Sequence, residues 1–168
     1  MKALVIHAPH DLRLEEREVA PLGPAEIAVR IGAGGICGSD LHYFHNGGFG
    51  AVRLKEPMIL GHEIAGTVER VGAEVAMVKP GDRVAVSPSR PCGHCRYCLK
   101  GKQSHCLNMR FYGSAMPFPH IQGAFREVLV CDAVQAHKVA DGVSLGEAAF
   151  CEPLAVCLHA ARRAGPLL

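Results

Sequence analysis

Cys92, Cys95, Cys98 and Cys106 stand in a C-x2-C-x2-C-x7-C arrangement. Gaps of two residues in a loop let neighbouring thiolates turn toward one point, and four soft donors around one point suit a tetrahedral zinc ion. Such a set leaves no open coordination position, so its expected role is structural: the ion replaces the core that this segment lacks. Four thiolates outweigh the charge of Zn²⁺, and Arg90, Arg96, Lys100 and Lys102 are close in sequence to offset the excess. The first three cysteines also match the start of a ferredoxin run. That pattern wants its fourth cysteine three residues on and followed by proline, and Cys106 meets neither condition. His94 and His105 are alternative donors by residue type, with surface positions expected for both.

The elements around this cluster read as short strands and turns. Strands are predicted at residues 3–6, 12–16 and 27–31, then a glycine-rich approach, Gly32 to Ile36, leads to Cys37. A short helix is predicted over Ser39–His45, ended by Asn46-Gly47-Gly48. One long strand is expected from Ile59 to Val71, carrying Gly61-His62-Glu63, followed by strands near Val84 and over Arg126–Val130. Residues 87–112 lose all periodicity among Pro88, Pro91, Gly93 and Gly101, which marks the cysteine cluster as a separate lobe. Ser144 to Ala149 reads as a capped helical turn, and a helix over Leu154–Ala164 is expected to start after Pro153 and stop at Gly165-Pro166. The fold class predicted is mainly β with a few short helices.

Composition narrows the function. A chain of 168 residues fits one domain, or one domain and a fragment of another. Eighteen Lys and Arg against sixteen Asp and Glu leave a net charge of +2, too weak a field to point to nucleic acid. No apolar stretch approaches the roughly 20 residues that a spanning helix requires, so no membrane partner is expected. Ala3 to Ile6 is interrupted by His7 without a small-residue cleavage site, and the expected compartment is cytoplasmic. Eight cysteines in a reducing compartment argue for metal rather than disulfides. An aromatic content of 5% without tryptophan implies an aliphatic core.

Cys37, His62, Glu63 and Glu152 are too dispersed for spacing alone to join them. The segments Gly35-Ile36-Cys37-Gly38-Ser39-Asp40-Leu41-His42, Gly61-His62-Glu63-Ile64-Ala65-Gly66 and Lys79-Pro80-Gly81-Asp82-Arg83-Val84 occur in order with the cysteine lobe. Together they resemble the catalytic domain of zinc-dependent medium-chain alcohol dehydrogenases, and Glu152-Pro153-Leu154 tilts the likeness to the polyol branch of sorbitol and idonate dehydrogenases. The resemblance implies a GroES-like barrel over residues 1–152, including the lobe at 87–112, with residues 153–168 as the first helix of a Rossmann cofactor domain. It implies two Zn²⁺ per chain, NAD or NADP, and a polyol or sugar-acid substrate oxidised at a secondary alcohol. It further implies a homo-oligomer for the full-length enzyme.

Family likeness assigns the catalytic zinc to Cys37, His62 and Glu63, with Glu152 reaching the metal directly or through water. Cys37 thiolate, neutral His62 and one carboxylate balance Zn²⁺, whereas a second bound carboxylate would weaken its pull on an alcohol oxygen, so one carboxylate at a time is expected. Neighbours in a regular strand face opposite ways, so His62 and Glu63 can share a metal only if the backbone bends near Gly61. The alternative for Glu63 is a buried ion pair. Ser39 and His42 are placed as a proton relay by residue type and position, against a helix N-cap for Ser39 and a surface position for His42. In the family, the residue at Asp40 sits behind the ligand imidazole and fixes its tautomer.

Remaining candidates carry less. Tyr43, Phe44, Phe49 and Phe111 either line a substrate pocket or cover a core, and Arg53, Arg110 and Arg126 qualify on charge to hold a sugar-acid carboxylate. Cys131, Cys151 and Cys157 read as small buried hydrophobes. His7, His10, His120, His137 and His159 are expected at surface or packing positions. No G-x-G-x-x-G occurs in the chain, so it is expected to bind two zinc ions without turning over a polyol. The competing classes are a non-catalytic four-cysteine zinc module and an iron–sulfur protein, which colour would reveal.

Overall fold

The computed structural model describes residues 1–165. Three strands form one antiparallel sheet in the order β2-β1-β6: β1 (Lys2–Ala8), β2 (Asp11–Glu16) and β6 (Met58–Ile59). A five-stranded antiparallel sheet, ordered β11-β3-β7-β8-β12, contains β3 (Glu26–Gly35), β7 (Glu63–Val71), β8 (Arg83–Val86), β11 (Val128–Asp132) and β12 (Ala136–Lys138). Two small hairpins, β4 (Gly48–Phe49) with β5 (Val52–Arg53) and β9 (Ser89–Arg90) with β10 (Arg110–Phe111), complete the strands. Helices are few: α1 (Gly38–Asn46), α2 (Leu145–Ala149) and α3 (Cys151–Ala164). The mainly β expectation is met.

The core is aliphatic, as the composition implies. Ile27, Val29, Ile64, Val68, Val84 and Leu129 are buried as one cluster on the large sheet. Ile6, Met58, Leu60 and the ring of Tyr43 form a second between the small sheet and α1. Alternating side chains on β3 and β7 supply the first cluster, because successive residues of a strand point to opposite faces. Helix α2 sits on β7 and β8 through alanines, Ala148 and Ala149 against Ala65 and Ala85, which permits close approach. Its start is the expected cap: Ser144 Oγ accepts from Glu147 N–H at 3.2 Å, and Glu147 Oε2 accepts from Ser144 N–H at 2.7 Å. The Ser144 hydroxyl, donating to Glu147 Oε2 at 2.7 Å, and the Ser144 N–H together lower the Glu147 carboxyl below its usual value.

Several boundaries differ from expectation. The strand predicted over 27–31 runs on to Gly35, because the glycine-rich approach pairs with the start of β7. The strand predicted from Ile59 to Val71 is broken between Ile59 and Glu63 at Gly61, whose φ of 91° no ladder residue adopts. A side chain there would also strike the Phe125 ring. The strand predicted over Arg126–Val130 starts at Val128, while Arg126 makes an isolated bridge to Ala3. Helix α1 starts at Gly38 with Cys37 as N-cap, which places Ser39 inside the first turn and removes its capping role. Helix α3 starts at Cys151, so Pro153 lies in the first turn, where its missing N–H is not needed. No residue of α3 is buried, and Cys151 and Cys157 are exposed; of the three cysteines expected in the interior only Cys131 is there. Gly165 follows α3 with a φ of 75°; the expected stop at Pro166 lies outside the described residues.

Gly61→Ala is expected to lower unfolding stability by about 1–3 kcal/mol, because a left-handed φ and a collision combine. Gly38→Ala, in a helical turn with open space around it, should be neutral or slightly stabilising. Urea titration of both variants checks the contrast.

Candidate metal centres

Two clusters of metal-binding side chains emerge. The sulfurs of Cys92, Cys95, Cys98 and Cys106 all lie within 4.8 Å of one another. The Cys92–Cys98 and Cys95–Cys98 sulfur distances are 4.0 and 3.5 Å, bracketing the roughly 3.8 Å edge of a tetrahedron with metal–sulfur bonds of about 2.3 Å. Cys106 Sγ accepts from the N–H groups of Cys92 at 3.2 Å and Asn108 at 3.4 Å. N–H donors from His94 and Cys95 bring the Cys92 thiol down to about 6, while burial among the other thiols pushes Cys98 up to about 12. Soft donors, tetrahedral spacing and thiolate-favouring N–H groups fit zinc. His94 and His105 are exposed, as expected.

The lobe is tied to the large sheet at its neck. Buried Gln135 donates through Nε2 to Ser87 O at 2.8 Å and accepts from Tyr112 Oη–H at 3.1 Å. Arg90 pairs with Asp132 at 2.6 Å. Sequence reading did not single out Gln135, Asp132 or Tyr112, because neck contacts arise only when the β9–β10 hairpin meets the turn between β11 and β12.

At the second cluster, one donor atom each from Cys37, His62 and Glu63 lies within 4.8 Å of the others. Cys37 caps α1, His62 follows the bend at Gly61, and Glu63 opens β7 opposite Gly35 of β3. The bend anticipated at Gly61 is what turns His62 and Glu63 to one side. Any side chain at Gly35 would occupy the space of the Glu63 carboxylate, so that glycine makes room for the donor. The buried Nδ1 of His62 has no hydrogen-bond partner among the described residues. A buried imidazole with a thiol and a carboxylate around one point is the donor set of a site that fits a cation such as zinc.

Asp40 does not do what family likeness implies. Its carboxylate, 3% exposed, accepts from Cys37 N–H at 3.0 Å and from Gly61 N–H at 3.1 Å. It therefore clasps the backbones that carry two donors, and makes no hydrogen bond to the His62 ring.

Glu152 lies outside the three-donor cluster, on the first turn of α3. Burial pushes its carboxyl up, the His62 ring opposes that rise, and the Glu63 carboxylate adds to it. Glu152 and Phe111 line a cavity of about 630 Å³ that also takes in Ile64, Val86, Cys151, Ala155 and His159. Cys37, His62 and Glu63 are not among its lining residues; Phe111, whose ring centre is 5.2 Å from that of His62, joins the two. Cys151, Ala155 and His159 repeat every four residues and would have been legible as one helix face had the helix start been placed at Cys151.

The other candidates separate. Ser39 is half-buried and His42 exposed, with no hydrogen bond between them among the described residues; the His42 ring stands 5.9 Å from that of Phe49. Tyr43 belongs to the core, its Oη accepting from Ala115 N–H at 3.0 Å. Arg53 and Arg110 are exposed, and Arg126 is engaged with Gly123 O at 2.8 Å. His120 is a packing residue, its Nε2 accepting from Lys55 N–H at 2.9 Å.

Known proteins resemble this chain in sequence and fold. The family described as alcohol dehydrogenase GroES-like domain matches residues 23–141. L-idonate 5-dehydrogenase (NAD(P)(+)) of Escherichia coli K12 is 45% identical over 139 residues, covering 83% of this chain and 40% of that protein. Sorbitol dehydrogenase of Homo sapiens is 40% identical over 166 residues, covering 99% of this chain and 45% of that protein. The crystal structure of the E. coli K-12 L-idonate 5-dehydrogenase superposes with a TM-score of 0.92 at 38% identity, over 98% of this chain and 46% of that one. The chain thus spans a little under half the length of the relatives it matches.

Cys37→Ser and Cys95→Ser are each expected to lower bound zinc by about one equivalent, from different sites, and only the second should unfold the lobe. Because thiols must lose protons to bind the ion, zinc retention by the lobe should weaken as pH falls. Metal analysis after dialysis at stepped pH checks both.

Proposed function

The chain belongs to the zinc-dependent alcohol dehydrogenase family through its GroES-like domain, and from that premise we propose that it is the metal-binding catalytic domain of an NAD(P)-linked polyol or sugar-acid dehydrogenase of the L-idonate or sorbitol type. The observation that carries the reading is the approach of Cys37, His62 and Glu63 beside a cavity lined by Glu152. When bound, zinc supplies Lewis acidity toward a substrate hydroxyl, which eases departure of hydride to a nicotinamide ring.

The chain's own residues set the conditions for that chemistry. Cys37 and Glu63 as anions and His62 as a neutral ring balance a divalent ion and keep it electrophilic. Glu63 is the direct carboxylate donor on this reading, and Glu152 faces the cavity where it can orient a hydroxyl or a water. A carboxyl whose protonation is favoured by burial suits a hydrogen bond that orients the substrate hydroxyl or a water. Ser39, two residues from Cys37, receives the hydroxyl proton, and His42, exposed to water, passes it outward. Cys92, Cys95, Cys98 and Cys106 hold a second, structural zinc.

The boundary between the GroES-like domain and the segment leading to a Rossmann domain falls at 152/153. Helix α3 supports this, since it buries none of its residues against the sheets. Glu152 is then the last residue of the GroES-like domain, on the first turn of α3. A longer chain carrying the nicotinamide-binding domain completes the enzyme and is expected to associate with itself. No described helix is long and apolar enough to cross a membrane.

The reading is tested by absorbance assay of NAD or NADP reduction. A longer chain carrying both domains should oxidise L-idonate or sorbitol, and Cys37→Ser should abolish it. Glu152→Gln should reduce kcat by about 10²-fold or more, the usual scale for misplacing a reacting group. The 168-residue chain alone should show no turnover. Robust oxidation by 1–168, or a longer chain inert toward every polyol and sugar acid, contradicts the proposal.

A further inference from the structure

His62 is 5% exposed, yet no hydrogen bond reaches either ring nitrogen from the described residues, and Nδ1 is wholly buried without a partner. A metal-binding histidine ordinarily donates its second N–H to a carboxylate or carbonyl, which fixes the rotation of the ring. Asp40, the carboxylate that family likeness sets behind the ring, accepts from Cys37 N–H and Gly61 N–H and makes no hydrogen bond to His62. Among the described residues, packing is the contact left to set the rotation. The aromatic ring against His62 is Phe111, with centres 5.2 Å apart and planes inclined by 58°.

Phe111 has an unusual mounting. It lies on β10, which pairs only with β9, Phe111 opposite Ser89 and Arg110 opposite Arg90. These are the two chains that enter and leave the cysteine lobe, so the hairpin is the lobe's neck. A ladder of two residue pairs does not hold itself together. Its closure comes from the lobe on one side and, on the other, from Gln135 on Ser87 O, Tyr112 on Gln135, and the Arg90–Asp132 pair.

We propose that Phe111 is the positioning residue for His62, substituting ring packing for the absent hydrogen bond, and that the closed cysteine lobe holds Phe111 in place. The four-cysteine cluster then does more than stabilise its own segment: opening it frees the ring that aims a donor of the other centre. This rests on the reading of Cys37, His62 and Glu63 as a metal centre.

The test is zinc titration of the 168-residue chain against a chromophoric chelator, with the His62 ring followed by NMR. Wild type should take up two zinc ions. Phe111→Ala should keep the lobe zinc but weaken the second site about tenfold or more, the scale for loss of a ligand's support, with broadened His62 ring signals. Phe111→Tyr, which keeps the ring, should retain wild-type affinity. Cys95→Ser should weaken the second site by a similar factor, and adding Phe111→Ala should weaken it no further. Wild-type affinity and sharp ring signals in Phe111→Ala overturn the positioning role, and additive losses in the double variant overturn the link to the lobe. Uptake of only the lobe zinc by wild type instead overturns the reading of the centre itself, and the inference with it.

Discussion

The buried carboxylate of Asp40 clasps two parts of the chain where they leave the end of the β3–β7 ladder. It accepts the N–H of Cys37, at the start of α1, and the N–H of Gly61, just before β7. A carboxylate this enclosed is strongly unfavourable unless its oxygens are satisfied, so both donors are obligatory partners. Their separation fixes how close Cys37 stands to His62. Gly61 presents its N–H to Asp40 at a φ of 91°, the bend that also turns His62 and Glu63 to the side of Cys37.

Around that clasp, the large sheet supplies register and the glycines supply space. Pairing of β3 with β7 sets Gly35 opposite Glu63, and the missing side chain at Gly35 leaves the carboxylate room. Helix α2, set close to the sheet by alanines, leads directly into α3 and brings Glu152 beside the centre from the other side. The two clusters thus differ in construction. The cysteine lobe draws all its donors from fifteen consecutive residues, 92–106, and depends on the ion for its core. The second cluster is assembled by tertiary structure.

That difference explains what could be read from residues alone. Cys92, Cys95, Cys98 and Cys106 were legible from spacing, because a local site writes its geometry into the chain. Cys37, His62 and Glu63 needed several motifs in order, since nothing in their spacing encodes the pairing of β3 with β7. The bend at Gly61 followed from the requirement that two neighbouring donors face one ion, although the end of the strand did not. What failed were roles that depend on the competition for hydrogen bonds. Asp40 has two backbone N–H groups within reach and leaves the imidazole unpaired, and Ser39 lost the cap to Cys37 by two residues. Pro153 looked like a helix start because proline favours the first turn; only the structure shows that the turn begins at Cys151.

The claim on which the rest stands is that one chain carries two chemically different zinc sites. X-ray absorption at the zinc edge reports the average donors directly. Chain loaded with two equivalents should show about 2.5 sulfurs per zinc near 2.3 Å, the mean of a four-sulfur and a one-sulfur site, with nitrogen and oxygen at about 2.0–2.2 Å. A single tightly held equivalent surrounded by four sulfurs, with no nitrogen or oxygen shell, would contradict it.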